Sequence, residues 1–507
     1  MNILIRHFVG IRITVKRLMI FVILGILIFT GNIMSQTLTL SGKTDIGKTS
    51  LPGAIQIDSA NKIITMTGSG ENIWGNEDAF YFAWNNIGGD VSVKTDISWE
   101  RMGKHPHRKA GWMFRAGLES NDAYVDAVIH GDGLISMQFR KIKGGPTYEV
   151  QSPIRGARTI SIERTGDQFT MYVSDTIGVL HPIGTITVEL LGQICAGLVV
   201  CSHDSTVTET AVFSNVSYEA YDSISSDKRV LESTLETMDI ETGVRTIIRR
   251  AKEHFEAPNW SRDGKMFVYN SGGKIYSMPV NGGTPKPINT GFAVKCNNDH
   301  GLTWDGKQLI ISHHAEDGKS LIYTLPSGGG EPKLITKNGP SYWHGISPDN
   351  KTLTYCAERN GIYDVYTIPI HGGNEKRLTS APGLDDGPEY SPDGKYIYFN
   401  SVRTGQMKIW RMKPDGSKQV QFTPADDYCD WFAHPSPNNK WIVFVSYDKS
   451  VEGHPPNKNV TLRLMSTSGG EIKILAYLFG GQGTINVHSW APNSKEFAFV
   501  SYRLVRP

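Results

Sequence analysis

The chain has 507 residues, 39% of them hydrophobic, and its 52 basic and 50 acidic residues leave a net charge of +2. That length calls for two to three domains, and the composition is that of a folded globular protein. No basic block stands out, so nucleic acid is excluded as the expected partner.

At the N-terminus Arg6, Arg12, Lys16 and Arg17 precede an apolar run from Leu18 to Phe29, and Gly31-Asn-Ile-Met-Ser35 follows. A basic stretch, an apolar core and a small residue before Gln36 read as a secretory signal over residues 1–35. The run is short for a membrane span, which needs ~20 apolar residues. The mature chain is therefore expected to have no transmembrane span and to be periplasmic or secreted, with an uncleaved anchor as the alternative. The cysteine count of five is odd and holds no C-x-x-C pair. Small buried hydrophobes are the expected role of these residues, with a Cys195–Cys201 disulfide as the alternative.

Residues 36–220 hold short alternating strands, among them Ile63-Ile-Thr-Met66, Val91-Ser-Val-Lys-Thr-Asp-Ile97, Ile135-Ser-Met-Gln-Phe139 and Phe169-Thr-Met-Tyr-Val173. Regular turns between them predict an antiparallel β-sandwich. Two stretches, Gly68-Ser-Gly-Glu-Asn-Ile-Trp-Gly-Asn-Glu-Asp-Ala-Phe-Tyr-Phe82 and Ala110-Gly-Trp-Met-Phe-Arg-Ala-Gly117, resemble the concanavalin-like jelly-roll family often labelled DUF1349. Gly197-Leu-Val-Val-Cys-Ser-His203 is similar to its closing strands. The resemblance implies a two-sheet sandwich of the kind appended to secreted carbohydrate-processing proteins. Trp74, Trp84, Trp99 and Trp112 are the candidates for stacking on sugar rings; the plainer reading puts them in the core. A short polar linker is expected over residues 221–229.

From residue 230 to 507 one phrase recurs six times, ending at Lys265, Lys307, Lys351, Lys395, Lys440 and Lys495. Glu389-Tyr-Ser-Pro-Asp-Gly-Lys395 and Gly345-Ile-Ser-Pro-Asp-Asn-Lys351 are typical copies, and the closing lysines stand 42, 44, 44, 45 and 55 residues apart. A period of ~40–45 residues is that of a four-stranded propeller blade. In each copy the phrase supplies turn chemistry, an apolar strand follows, and a second hairpin ends in glycines, as in Val365-Tyr-Thr-Ile-Pro-Ile-His-Gly-Gly373. The outer hairpin missing after Lys495 is expected at Leu235–Ile248, so that the two ends share one blade and close the ring. The phrases resemble the repeats of the TolB family (PD40, or WD40-like), which implies a six-bladed all-β propeller. They imply little about activity, since propellers host enzymes and binders alike.

Just before the phrases stand Asn297-Asn-Asp-His300, Tyr342-Trp-His344, Asp385-Asp386, Asp430-Trp-Phe-Ala-His434 and Asn486-Val-His488. Ring closure would carry these inner-strand residues towards one channel mouth. The candidate ligand-binding residues are Asp299, His300, Trp343, His344, Asp385, Asp386, Asp430, His434, Gln482 and His488. Among them His300, His344, His434 and His488 could hold a divalent metal, and imidazole with carboxylate also suits general acid–base work. The competing reading has these polar groups binding water or linking blades. His313 and His314 are expected at the rim. No G-x-S-x-G elbow, P-loop or H-E-x-x-H occurs. Long loops at Val451–Lys458 and Phe479–Thr484 make the last interval loop-rich, and such loops often carry specificity.

Three functions fit this pattern. The first is a TolB-like protein of the cell envelope that binds a glycan or a protein partner. The second is a glycan-active enzyme, lyase or hydrolase, with its site at the channel mouth; oligogalacturonate lyase is a propeller of this type that uses a His- and Gln-bound metal. The third is an envelope scaffold with no small ligand.

Overall fold

In the computed structural model, residues 40–190, 194–221 and 228–507 are described. The expected signal segment and residues 222–227 of the expected linker lie outside them. Residues 42–221 form two seven-stranded antiparallel sheets. One runs in the order Gly42–Ile46, Phe80–Ile87, Ile194–Cys201, Lys109–Arg115, Tyr124–His130, Ile135–Arg140, Thr147–Gln151. The other runs Leu180–Thr187, Gln168–Ser174, Thr159–Thr165, Asp90–Trp99, Glu209–Tyr221, Ile63–Gly68, Ala54–Asp58. Alternation along each strand sends one set of side chains into a shared core. Trp112 and Phe114 of the first sheet meet Ile160, Ile162 and Phe169 of the second there.

Of the four candidate tryptophans, Trp112 is fully buried in that core, Trp99 lies beneath the Arg108 guanidinium at 4.2 Å, and Trp84 packs beside Gly42. Trp74 alone of the four is open to solvent, at 42% exposure. Cys195 and Cys201 are buried and unpaired, like the other three cysteines.

The second half is a six-bladed propeller. Five blades are four-stranded sheets, such as Ser341–Ile346, Thr352–Arg359, Ile362–Pro369 and Lys376–Arg377. The sixth is built from both ends of the repeat region: Val230–Asp239 lies between Arg245–Ala251 and Glu496–Val505, with Leu235 opposite Val500. The recurring phrase has a hydrogen-bonding reason. Ser391 Oγ donates to Asp393 Oδ1 at 2.7 Å, while the Lys395 N–H donates to that same oxygen and the Tyr396 N–H donates to the serine hydroxyl. Gly394 supplies the left-handed residue at φ 69°. Ser261, Ser347 and Ser436 repeat the arrangement.

Each of the five inner strands also shifts register shortly before its phrase, between Glu256 and Asn259, Cys296 and His300, Trp343 and Gly345, Asp386 and Glu389, and Trp431 and His434. A bulge of this kind turns the following side chains onto a different face.

The two halves touch. Arg245 Nη1 donates to the Ile183 carbonyl at 3.2 Å, His181 Nδ1 lies 3.0 Å from the Arg245 carbonyl, and Arg503 pairs with Glu163.

Candidate ligand site at the channel mouth

The bulges divide the polar inner-strand residues into two layers. The outer layer opens into a cavity of about 440 Å³. Asp299, His344 and Asp386 reach it from three neighbouring blades, together with Tyr342, Phe432, Gln482, His454 and the amides of Asn297, Asn298 and Asn486. His344 Nε2 stands 3.3 Å from Asp386 Oδ1 and 4.0 Å from Asp299 Oδ1. His454 Nε2 approaches the other Asp386 oxygen at 3.8 Å. The His344 ring stacks on Phe432, with centroids 5.6 Å apart.

Charge sorts itself within this group. Burial disfavours the imidazolium of His344, but the carboxylates of Asp299 and Asp386 outweigh it and raise its pKa to about 9. Burial would likewise raise Asp386, yet its contact with His344 holds it well below the usual carboxylate range. Asp299, farther from the imidazolium, is pushed up by burial to about 6. Behind it Glu256 is raised to about 7, by burial first and by Asp299 second. The mouth thus holds one ion pair and a carboxyl group that exchanges its proton near neutrality.

The inner layer follows the bulge. Glu389 accepts from His434 Nδ1 at 2.6 Å and from His488 Nδ1 at 2.9 Å. His434 Nε2 bonds the Ile485 carbonyl at 2.7 Å, so both of its ring nitrogens face acceptors. His488 Nε2 meets Arg262 Nη1 at 2.8 Å, and Arg262 stacks over Trp304 at 3.9 Å. Burial lowers His488 to about 4, and its two hydrogen-bonding imidazole neighbours hold Glu389 down at about 2 against burial. Trp343 packs here, along a small void that His344 also borders.

Asp299, His344, Asp386 and Gln482 therefore line the mouth cavity, while His434 and His488 lie below it. His300, Asp385 and Asp430, expected at the mouth, point elsewhere. His300 turns to the Val268 carbonyl at 3.4 Å, Asp385 pairs with Arg403 at 2.7 Å, and Asp430 pairs with Arg463 at 2.9 Å. Asp385 and Asp430 lie before the register shifts, opposite Ser401 and Ser446, and strand alternation turns them to the face opposite their neighbours, whereas His300 stands at the shift itself. For the same reason His300, His344, His434 and His488 do not converge. Among the described residues no group of three or more His, Cys, Asp or Glu side chains is placed to hold a metal ion. Of the expected rim residues, His314 lines the cavity.

Sequence reasoning missed Glu389, Arg262, Glu256 and His454. Glu389 opens a turn phrase, where its position marks it only as part of the turn. His454 lies in the Val451–Lys458 loop, whose length was the available signal.

A six-bladed propeller with a polar cavity at one end of its channel is the class of protein defined here. A family model described as the TolB beta propeller domain, PD40, matches residues 344–507. An uncharacterized protein of Agrobacterium fabrum is 50% identical over 273 residues, which is 54% of this chain and 93% of that protein. The solved structure of a candidate TolB from Agrobacterium tumefaciens shares 50% identity at a TM-score of 0.53, covering 54% of this chain and 99% of that one. The Tol-Pal system protein TolB of Francisella tularensis is 25% identical over 257 residues, 49% of this chain and 57% of that protein. The chain belongs to the TolB-like β-propeller family. Among its described residues no helix is long and apolar enough to cross a membrane.

Proposed function

We propose that this is a binding protein of the cell envelope, periplasmic or secreted after removal of residues 1–35, whose channel mouth receives a glycan. One observation carries the reading: a cavity of about 440 Å³ whose walls keep hydrogen-bonding capacity turned inwards. That volume lies within the ~300–1,000 Å³ range of small-ligand pockets. Sugar hydroxyls need donors and acceptors side by side. The Gln482 amide offers both, Asn297 and Asn486 offer their side-chain N–H groups, their oxygens being taken by the Asp299 and Gly483 N–H groups, and Asp386 accepts. Phe432 adds an aromatic face. The envelope setting rests on kinship to TolB proteins and on the signal-like N-terminus. The paired seven-stranded sheets favour a concanavalin-like sandwich over residues 36–220, joined by residues 221–229 to the propeller of residues 230–507.

The second reading is a glycan lyase or hydrolase at the same mouth. Asp299, held near 6, is the group there suited to proton exchange. A glycan-array screen, followed by calorimetry and product analysis on wild type and His344→Ala, separates the cases. Binding without product, weakened at least tenfold in His344→Ala, is the expected result. Product release would move the protein to the enzyme reading. Capture of an envelope protein alone would replace the glycan by a protein partner, and wild-type glycan affinity in the variant would remove the mouth from the account.

A further inference from the structure

Far from the channel cavity in sequence, the first sheet carries a second cluster of imidazoles. His105 and His107 sit in the loop leading to Lys109–Arg115, His130 ends the neighbouring strand, and His203 follows Ile194–Cys201. The His105 and His203 ring centroids are 4.1 Å apart, His107 is 5.7 Å from each of them, and His107 lies 6.1 Å from His130. Sheet register explains the gathering: Lys109 is paired with His130 on one side and with Cys201 on the other.

We propose that this cluster is a binding site for an oxyanion, a carboxylate or phosphate group of a ligand. Four observations converge on it. Lys109 Nζ is buried and donates to neutral oxygens, Asn72 Oδ1 and the Ile73 carbonyl at 3.1 Å; among the described residues no carboxylate makes a salt bridge with it, and Asp126, Glu149 and Asp78 act on it only from a distance. A buried ammonium without a directly paired carboxylate is costly, and a bound anion would offset that cost. His105 Nδ1 accepts the His107 N–H at 3.1 Å, which leaves its Nε2 to donate. A donating Nε2 suits an anion and does not suit a metal. His130 is 4% exposed; its Nε2 contacts Ser136 and its Nδ1 has no partner. His203 Nδ1 is also unpartnered, and the residue is held at φ 59°, a left-handed conformation that a non-glycine side chain adopts at a cost.

The site is also firmly built. The Asp132 N–H donates to the Pro106 carbonyl at 2.9 Å, the Gly131 N–H donates to the Arg108 carbonyl at 3.0 Å, and Arg108 pairs with Glu209 at 2.5 Å. Burial and then the nearby charge of Lys109 lower both His130 and His203 to about 4, for His130 against the opposing pull of Glu149 and Asp132.

The test is calorimetry on the full chain with three probes: inorganic phosphate, glucuronate and neutral glucose. At least one anion should bind, the double variant His105→Ala/His203→Ala should bind that anion at least tenfold more weakly, and any glucose binding should be the same in the variant as in wild type. Neither residue is in the core, and a thermal melt of the variant checks that the fold persists. The channel cavity is lined by neither His105 nor His203, so a loss in the double variant places the anion at this cluster and not at the mouth. Phosphate alone would identify a phosphoryl ligand, and glucuronate alone a carboxylate ligand. No binding of either anion, an equal loss of glucose binding in the double variant, or undiminished anion binding by that variant would overturn the proposal.

Discussion

The two layers of the propeller channel are made of the same residue types and differ in what is left over. In the inner layer Glu389 satisfies two imidazoles, a carbonyl takes the second nitrogen of His434, and Arg262 takes that of His488. Its hydrogen-bonding capacity is spent within the protein. In the outer layer His344 and Asp386 pair at 3.3 Å, Asp299 stands off at 4.0 Å, and the Gln482 amide and the side-chain N–H groups of Asn297 and Asn486 border the cavity. A row of titratable groups is therefore no site by itself. Unspent capacity beside a cavity is what separates recognition from structure.

The largest expected effect tests the structural half of that contrast. Glu389→Ala should destabilise the fold by about 3–5 kcal/mol, because it leaves the buried Nδ1 groups of His434 and His488 without their shared acceptor and the buried Arg262 without a nearby carboxylate. Urea denaturation with unchanged m-value is the measurement. A loss under about 1 kcal/mol would mean that the inner layer is not the structural knot described, and the contrast would fail.

Next in size is the functional half. Asp386→Asn keeps shape and removes charge. It should weaken glycan binding at the mouth by at least tenfold at a smaller stability cost than Glu389→Ala. It should also move the titration of His344, followed by imidazole NMR, down from about 9 towards the ordinary value. The sign is fixed by linkage: a histidine raised in the folded state adds stability that is complete below its unfolded pKa and is lost as pH rises through about 9. That high-pH loss should shrink in Asp386→Asn.

The propeller was legible because its turn phrase is a local hydrogen-bonding device. Ser391, Asp393 and Gly394 form it together, and so do their counterparts in other blades, so the residues recur with the geometry. Closure by Leu235–Ile248 was legible for a related reason, since a missing hairpin must come from somewhere. The site was half legible. Imidazole and carboxylate before each phrase marked the right strands, but their facing depended on the bulge, which has no fixed sequence signature. Gly387 hints at it with φ 58°, whereas Phe432 and Ala257 adopt similar angles without glycine. Thus His344 and His300 stand at the same distance from their phrases, yet one borders the cavity and the other bonds Val268.

The smallest effect sharpens the contrast within the mouth itself. Asp299 is a carboxyl group raised by burial to about 6, above its unfolded value of 3.8. The folded protein then holds a proton that the unfolded chain has released, so this group costs stability as pH climbs from about 4 through about 6, the reverse of a salt-bridged carboxylate. Glu256, raised to about 7, acts in the same direction over a slightly higher range. Asp299→Asn removes the first contribution and reduces the second, since Asp299 supplies part of the rise at Glu256. Measured from pH 4 to pH 6, the variant should lose less stability than wild type, with the gap opening steadily across that interval. Parallel profiles would mean that Asp299 is already ionised and paired in the folded state. The mouth would then be as saturated as the layer beneath it, and its claim to be the recognition site would rest on the cavity alone.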